Sequence, residues 1–78
     1  MELRGSRKRA LIHFMNEYNH RLTVYNGRIP PNDWWYMKGV IDTLVFCGSI
    51  LYQDRDLMYE HMSSRENDTF ELNEFKDN

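Results

Sequence analysis

Seventy-eight residues with a net charge of −2, 41% hydrophobic residues and a single cysteine describe one small domain. The lone Cys47 excludes a disulfide framework within the chain. No apolar run is long enough to span a bilayer, and MELRGSRKRALIHF lacks the apolar core of a secretory signal, so the expectation is a soluble, cytoplasmic protein. Charge is unevenly spread. Residues 1–31 hold six Lys/Arg (Arg4, Arg7, Lys8, Arg9, Arg21 and Arg28) against two acids, net +4. Residues 32–78 hold four against ten, net −6. A basic end and an acidic end follow, and copies of the chain could attract one another head to tail.

The first predicted element is an amphipathic helix over 7–25. Leu11, Phe14, Met15, Tyr18, Leu22 and Tyr25 recur at spacings of three and four. Ser6 is its expected N-cap. Glu17 and Arg21 form an i,i+4 pair in the favourable order. Asn26-Gly27 ends the helix, with Gly27 as the left-handed residue. Pro30 and Pro31 then force extended backbone, and Asn32 or Asp33 caps the next helix.

That helix is expected from Trp34 to Tyr52. Its core stripe is Trp34, Met37, Ile41, Leu44, Gly48 and Leu51, and a second apolar row holds Tyr36, Val40, Cys47 and Ile50. Lys38, Asp42, Ser49 and Gln53 make a polar line, with Val45 inside that arc and Phe46 at its edge. A helix apolar nearly all round is covered on more than one side, and 78 residues offer little to cover it. Cys47 reads as a small buried core residue. Gly39 and Gly48 read as places of close backbone approach. Neighbouring helix residues diverge by about 100°, so Trp34 and Trp35 cannot both face the core. Trp34 is expected inward on Tyr18, Leu22 or Tyr25, leaving Trp35 exposed.

QDRD at 53–56 is either a turn or exposed helix. Leu57, Met58 and Met62 mark a short third helix ending near Ser63-Ser64. Beyond it lies an acidic, partly mobile tail, 65–78. There Asp68-Thr69-Phe70-Glu71 resembles a helix start, and Phe70, Leu72 and Phe75 either dock on the core or anchor a partner. The fold class is therefore all-α: a helical hairpin plus a short third helix within 1–64, followed by the acidic tail.

Few residues point to catalysis. His13, Glu17 and His20 share a helical face at metal-ligand spacing, but the further ligands that a di-metal bundle needs are missing, and a solvated face explains them more simply. There is no phosphate loop, cysteine pair or activated nucleophile. The expectation is a non-catalytic chain with no cofactor and no metal. Two binding surfaces remain. Trp35, Val45, Phe46, Phe70 and Phe75 are candidate contacts for a protein partner or for a second copy in a homodimer. Arg4, Arg7, Lys8, Arg9, Arg21 and Arg28 are candidate nucleic-acid contacts. Arg28, ahead of a helix N-terminus and beside Trp34, Trp35 and Tyr36, also suggests a small nucleotide pocket.

The short length, the abundance of Asn, Asp, Tyr and Met, the split charge and the acidic tail together make the whole chain resemble small accessory proteins of large tailed phages. That resemblance implies an interaction protein that binds and redirects a host or phage protein, acting in the host cytoplasm.

Overall fold

The computed structural model describes residues 5–65 and 67–75. Three α-helices, α1 (Gly5–Val24), α2 (Pro31–Phe46) and α3 (Tyr52–Ser64), precede a short 3-10 turn at Leu72–Glu74, and the described residues contain no strand. The class is all-α, a hairpin plus a third helix. α2 packs against both α1 and α3, and the 3-10 turn packs against α1.

α1 is already helical at Gly5, so Ser6 sits inside it rather than capping it. Its buried side is Arg7, Leu11, Phe14, Met15, Tyr18 and Leu22. Tyr25 lies past the helix and is exposed. The end of α1 is a two-bond C-terminal cap. Asn26 takes the left-handed conformation (φ 56°) and donates to the Thr23 carbonyl at 3.4 Å, while Gly27 (φ 85°) donates to Leu22 at 2.7 Å. Asn26 thus fills the first left-handed place, which the sequence suggested for Gly27.

α2 starts three residues earlier than expected, at Pro31 rather than Trp34. Pro30 holds the N-cap position and Pro31 the first helical one, where a missing N–H costs nothing. It also stops well before Tyr52. The Gly48 N–H donates to the Val45 carbonyl and the Ser49 N–H to Leu44, each at 2.9 Å, with Gly48 at φ 75°. This is the Schellman pattern, so Gly48 ends a helix where the sequence suggested close packing. Cys47, expected in the core, is the exposed C-cap residue of α2. The break returns Ile50 to the core and leaves Leu51 extended (φ −92°, ψ 160°) ahead of α3. QDRD is helix rather than turn: it lies at the start of α3, with Gln53 and Asp56 exposed but Asp54 buried.

The core is Leu11, Phe14, Met15, Tyr18 and Leu22 from α1, Met37 and Ile41 from α2, Ile50, Met58 and Met62, and finally Phe70 and Phe75. Residues 67–75 are therefore part of the packing. Phe70 is 2% exposed. It stacks on His61 (centroids 3.8 Å, planes 20° apart) and meets Phe14 and Tyr18 edge-on. The Asn19 side chain pins its backbone: the Phe70 N–H donates to Oδ1 at 2.8 Å, and Nδ2 donates to the Phe70 carbonyl at 3.0 Å.

Candidate functional site: the outer face of α2

Around α2 the exposed positions are not scattered. Trp35, Tyr36, Gly39, Asp42, Thr43, Phe46 and Cys47 are all exposed, while Met37 and Ile41 on the opposite side are buried. At about 100° per residue the exposed group forms one continuous stripe along the helix. Trp35 is 63% exposed, Tyr36 53% and Phe46 91%. Asp42 is the one charged residue on the stripe, and Lys38 flanks it, with Nζ 3.5 Å from Asp42 Oδ2. Asp42 also accepts a hydrogen bond from the Tyr59 hydroxyl on α3. Burial, the Asp42 hydrogen bond and the nearby carboxylate charge together raise the Tyr59 pKa above the usual phenol value.

Trp34 and Trp35 part as their 100° separation requires. The Trp34 indole is half-buried against the core, and its Nε1 donates to the Met62 carbonyl of α3 at 3.3 Å. Trp35 turns outward, edge-on to Trp34 (centroids 5.0 Å, planes 80° apart). Beside it runs an apolar groove of about 450 Å³ lined by His13 from α1 and by Trp35, Tyr36, Val40, Thr43 and Leu44 around Gly39. Cations frame the rings: Arg21 lies 4.9 Å from the Tyr36 centroid, and Lys38 lies 5.9 Å from that of Trp35.

Three of the five expected protein contacts lie elsewhere. Phe70 and Phe75 are buried in the core and have no surface to offer a partner. Val45 is half-buried and packs against the core, because it lies only about 40° around the helix from Ile41. Only Trp35 and Phe46 remain on the surface. Tyr36 joins them and was missed as a contact, because it was grouped in a second apolar row with Val40, Cys47 and Ile50. Its signal in the sequence was its angular position, about 100° from Met37 and about 140° from Ile41 around the helix.

The expected basic patch comes apart. Arg4 lies outside the described residues. Arg7 is buried, its Nε and Nη2 donating to the two carboxylate oxygens of Asp54 at 2.8 and 2.6 Å. Arg21 is occupied by Glu17 at 3.1 Å and Asp33 at 3.2 Å. Tyr25 also donates to Asp33, which raises its own pKa above the phenol range through that bond and the carboxylate charge. Lys8, Arg9 and Arg28 stay exposed. Lys8 and Arg9 stand at one end of α1 and Arg28 beyond the other, on the order of 25 Å apart at 1.5 Å per residue. Near Arg28, a hollow of about 240 Å³ is lined by Ile29, Pro31, Trp34 and Trp35. It presents no charged side chain, so the arrangement does not assemble the suggested nucleotide pocket.

His13 and His20 are exposed, and Glu17 is taken up by Arg21. Among the described residues no group of three or more His, Cys, Asp or Glu is placed to hold a metal ion. No helix among them is long and apolar enough to cross a membrane. Protein-family models, curated proteins and solved structures give no match to this chain.

Proposed function

We propose that this chain is a non-catalytic interaction protein that binds a protein partner through the outer face of α2. The observation that carries this reading is the stripe of Trp35, Tyr36 and Phe46, three large apolar side chains more than half exposed along one helix. Exposed aromatic residues clustered around a groove are the usual anchors of a protein interface. Single exposed apolar residues need no such explanation, but a stripe three turns long does. The likeness in composition to phage accessory proteins, which bind and redirect other proteins, points the same way.

The test compares the full chain with a Trp35→Ala/Phe46→Ala variant as bait in a lysate of its source cell, read by mass spectrometry. Both changes are on exposed side chains, so circular dichroism should show the fold retained. A protein captured by the parent and lost by the variant supports the reading. Identical captures from both overturn it.

The nucleic-acid reading has weaker support. Of the described basic candidates, Lys8, Arg9 and Arg28 are the ones not engaged with a carboxylate, and they do not form one patch. Binding of short DNA or RNA at low salt that is lost when Lys8 and Arg9 become Ala would favour it over the protein-binding reading.

A further inference from the structure

Gly39 sits in the middle of α2, where glycine weakens a helix. Nothing within this chain requires it: an added Cβ would have no heavy atom within 4 Å, and its φ is not in the left-handed region. It is also at the centre of the exposed stripe, with Thr43 one turn on and the aromatic residues to either side. A glycine with open space above it, on an apolar helix face, is suited to a second backbone coming close.

We infer that a second copy of this chain covers this face, with the two α2 helices packed antiparallel across a two-fold axis near Gly39–Asp42. This rests on the protein-binding reading above and names its partner. Three features select the arrangement. An antiparallel two-fold pairs positions whose numbers sum to about 81, so Trp35 of each copy meets Phe46 of the other. The same register brings Gly39 against the Asp42–Thr43 turn, the least bulky part of the stripe. It also sets Lys38 level with Asp42 of the second copy, to within about one residue rise. The charges of the stripe are therefore complementary to themselves. A parallel pair would instead oppose the two Asp42 carboxylates, which repel.

The area is sufficient. An aromatic side chain covers about 150–250 Å². At the observed exposures, Trp35, Tyr36 and Phe46 offer roughly 300–500 Å² per copy. With Val40, Gly39, Thr43 and Cys47 added from both copies, the total comes to the ~1,000 Å² that a specific interface needs.

Sedimentation of the full chain from micromolar to millimolar concentration reads the association directly. A monomer–dimer equilibrium is expected, weakened about tenfold or more by Trp35→Ala, by Phe46→Ala and by Gly39→Ala. Gly39→Ala discriminates, because it should raise the melting temperature of the dilute monomer while weakening the dimer. Register is read with a short-spacer bismaleimide. A single cysteine at position 42, introduced as Asp42→Cys with Cys47→Ser, should cross-link. The native Cys47, about 20 Å from its mate in this packing, should not. A monomer at every concentration, or a dimer indifferent to Gly39→Ala, overturns the inference. A dimer that cross-links through Cys47 and not through position 42 overturns it as well. If the chain stays monomeric but Trp35→Ala/Phe46→Ala still loses a captured protein, the second copy is refuted and the protein-binding reading stands.

Discussion

The Arg7–Asp54 pair joins the first turn of α1 to the first turn of α3, and breaking it should be among the most damaging changes available. Both side chains are nearly sealed from water. Asp54 does two jobs: its carboxylate takes two N–H groups of Arg7, and its Oδ2 accepts the Leu51 N–H at 2.9 Å, closing the start of α3. Asp54→Asn keeps an oxygen for Leu51 but removes the carboxylate charge that faces the buried guanidinium. Removing one partner of a buried pair costs about 3–5 kcal/mol. A chain of this length holds about 4–12 kcal/mol in all. At about 4–8 °C per kcal/mol for a domain this size, the melting temperature should fall by at least about 12 °C. Asp54→Ala also removes the cap, about 0.5–2 kcal/mol more, and should leave much of the chain unfolded. Urea unfolding followed by circular dichroism measures Arg7→Met, Asp54→Asn and the double variant. The double variant keeps the cap and buries no charge, so it should be more stable than the sum of the singles by about 2 kcal/mol or more. A loss below about 1 kcal/mol for Asp54→Asn, with an additive cycle, would mean that the pair behaves as an exposed one and would refute this account.

The remaining predictions concern the C-terminal segment, the α2 terminus and two phenols. Phe70→Ala should cost about 3–5 kcal/mol and speed hydrogen exchange along 67–75, a loss that a freely trailing tail would not show. Asn19→Ala should cost about 1–3 kcal/mol, since both hydrogen bonds to Phe70 disappear. Gly48→Ala should destabilise by about 1–2 kcal/mol because φ is 75° there; an unchanged melting temperature would rule out the left-handed cap. Tyr59 and Tyr25 should ionise above the free phenol value near 10 in an ultraviolet absorbance titration. Asp42→Asn should bring Tyr59 down, and Asp33→Asn should bring Tyr25 down. In both cases the fold favours the protonated phenol. The stabilisation is thus fully present below about pH 10 and is lost as pH rises through the folded-state pKa.

How much of this could be read from the sequence depends on how local each cause is. The α1–α2 corner was legible because Asn26, Gly27, Pro30 and Pro31 act through their own backbone preferences. The outward turn of Trp35 was legible because adjacent helix residues must diverge. Gly48 was not, because LVFCGSILY is apolar throughout and gives no change of period at the break. Whether a glycine there packs or terminates is decided by its φ. Arg7 was missed because it stands in a run of basic residues and its partner is 47 positions away. A sign was nonetheless present: Arg7 falls on the same helical stripe as Leu11, Phe14, Met15, Tyr18 and Leu22, four residues before the first of them. Phe70 and Phe75 could dock or reach outward, and only the assembled pocket of Phe14, Tyr18, Asn19 and His61 decides.

The split of charge along the chain acquires a different meaning once these contacts are placed. Read linearly, a basic first half and an acidic second half suggest surfaces for polyanions or for other copies. In the fold, Arg7 is spent on Asp54 and Arg21 on Glu17 and Asp33, so much of the asymmetry is used to join α1 to α2 and α3. That use removes positive charge from the surface where a nucleic acid would need it. It also separates two kinds of adhesion: ion pairs and the Phe70 cluster hold the chain together, while the aromatic stripe of α2 is left outside. The buried side of α2 is Met37 and Ile41, while Trp35 and Phe46 lie on its far side and stay 63% and 91% exposed. Those two residues, and the glycine between them, are the ones that the proposed second copy would cover.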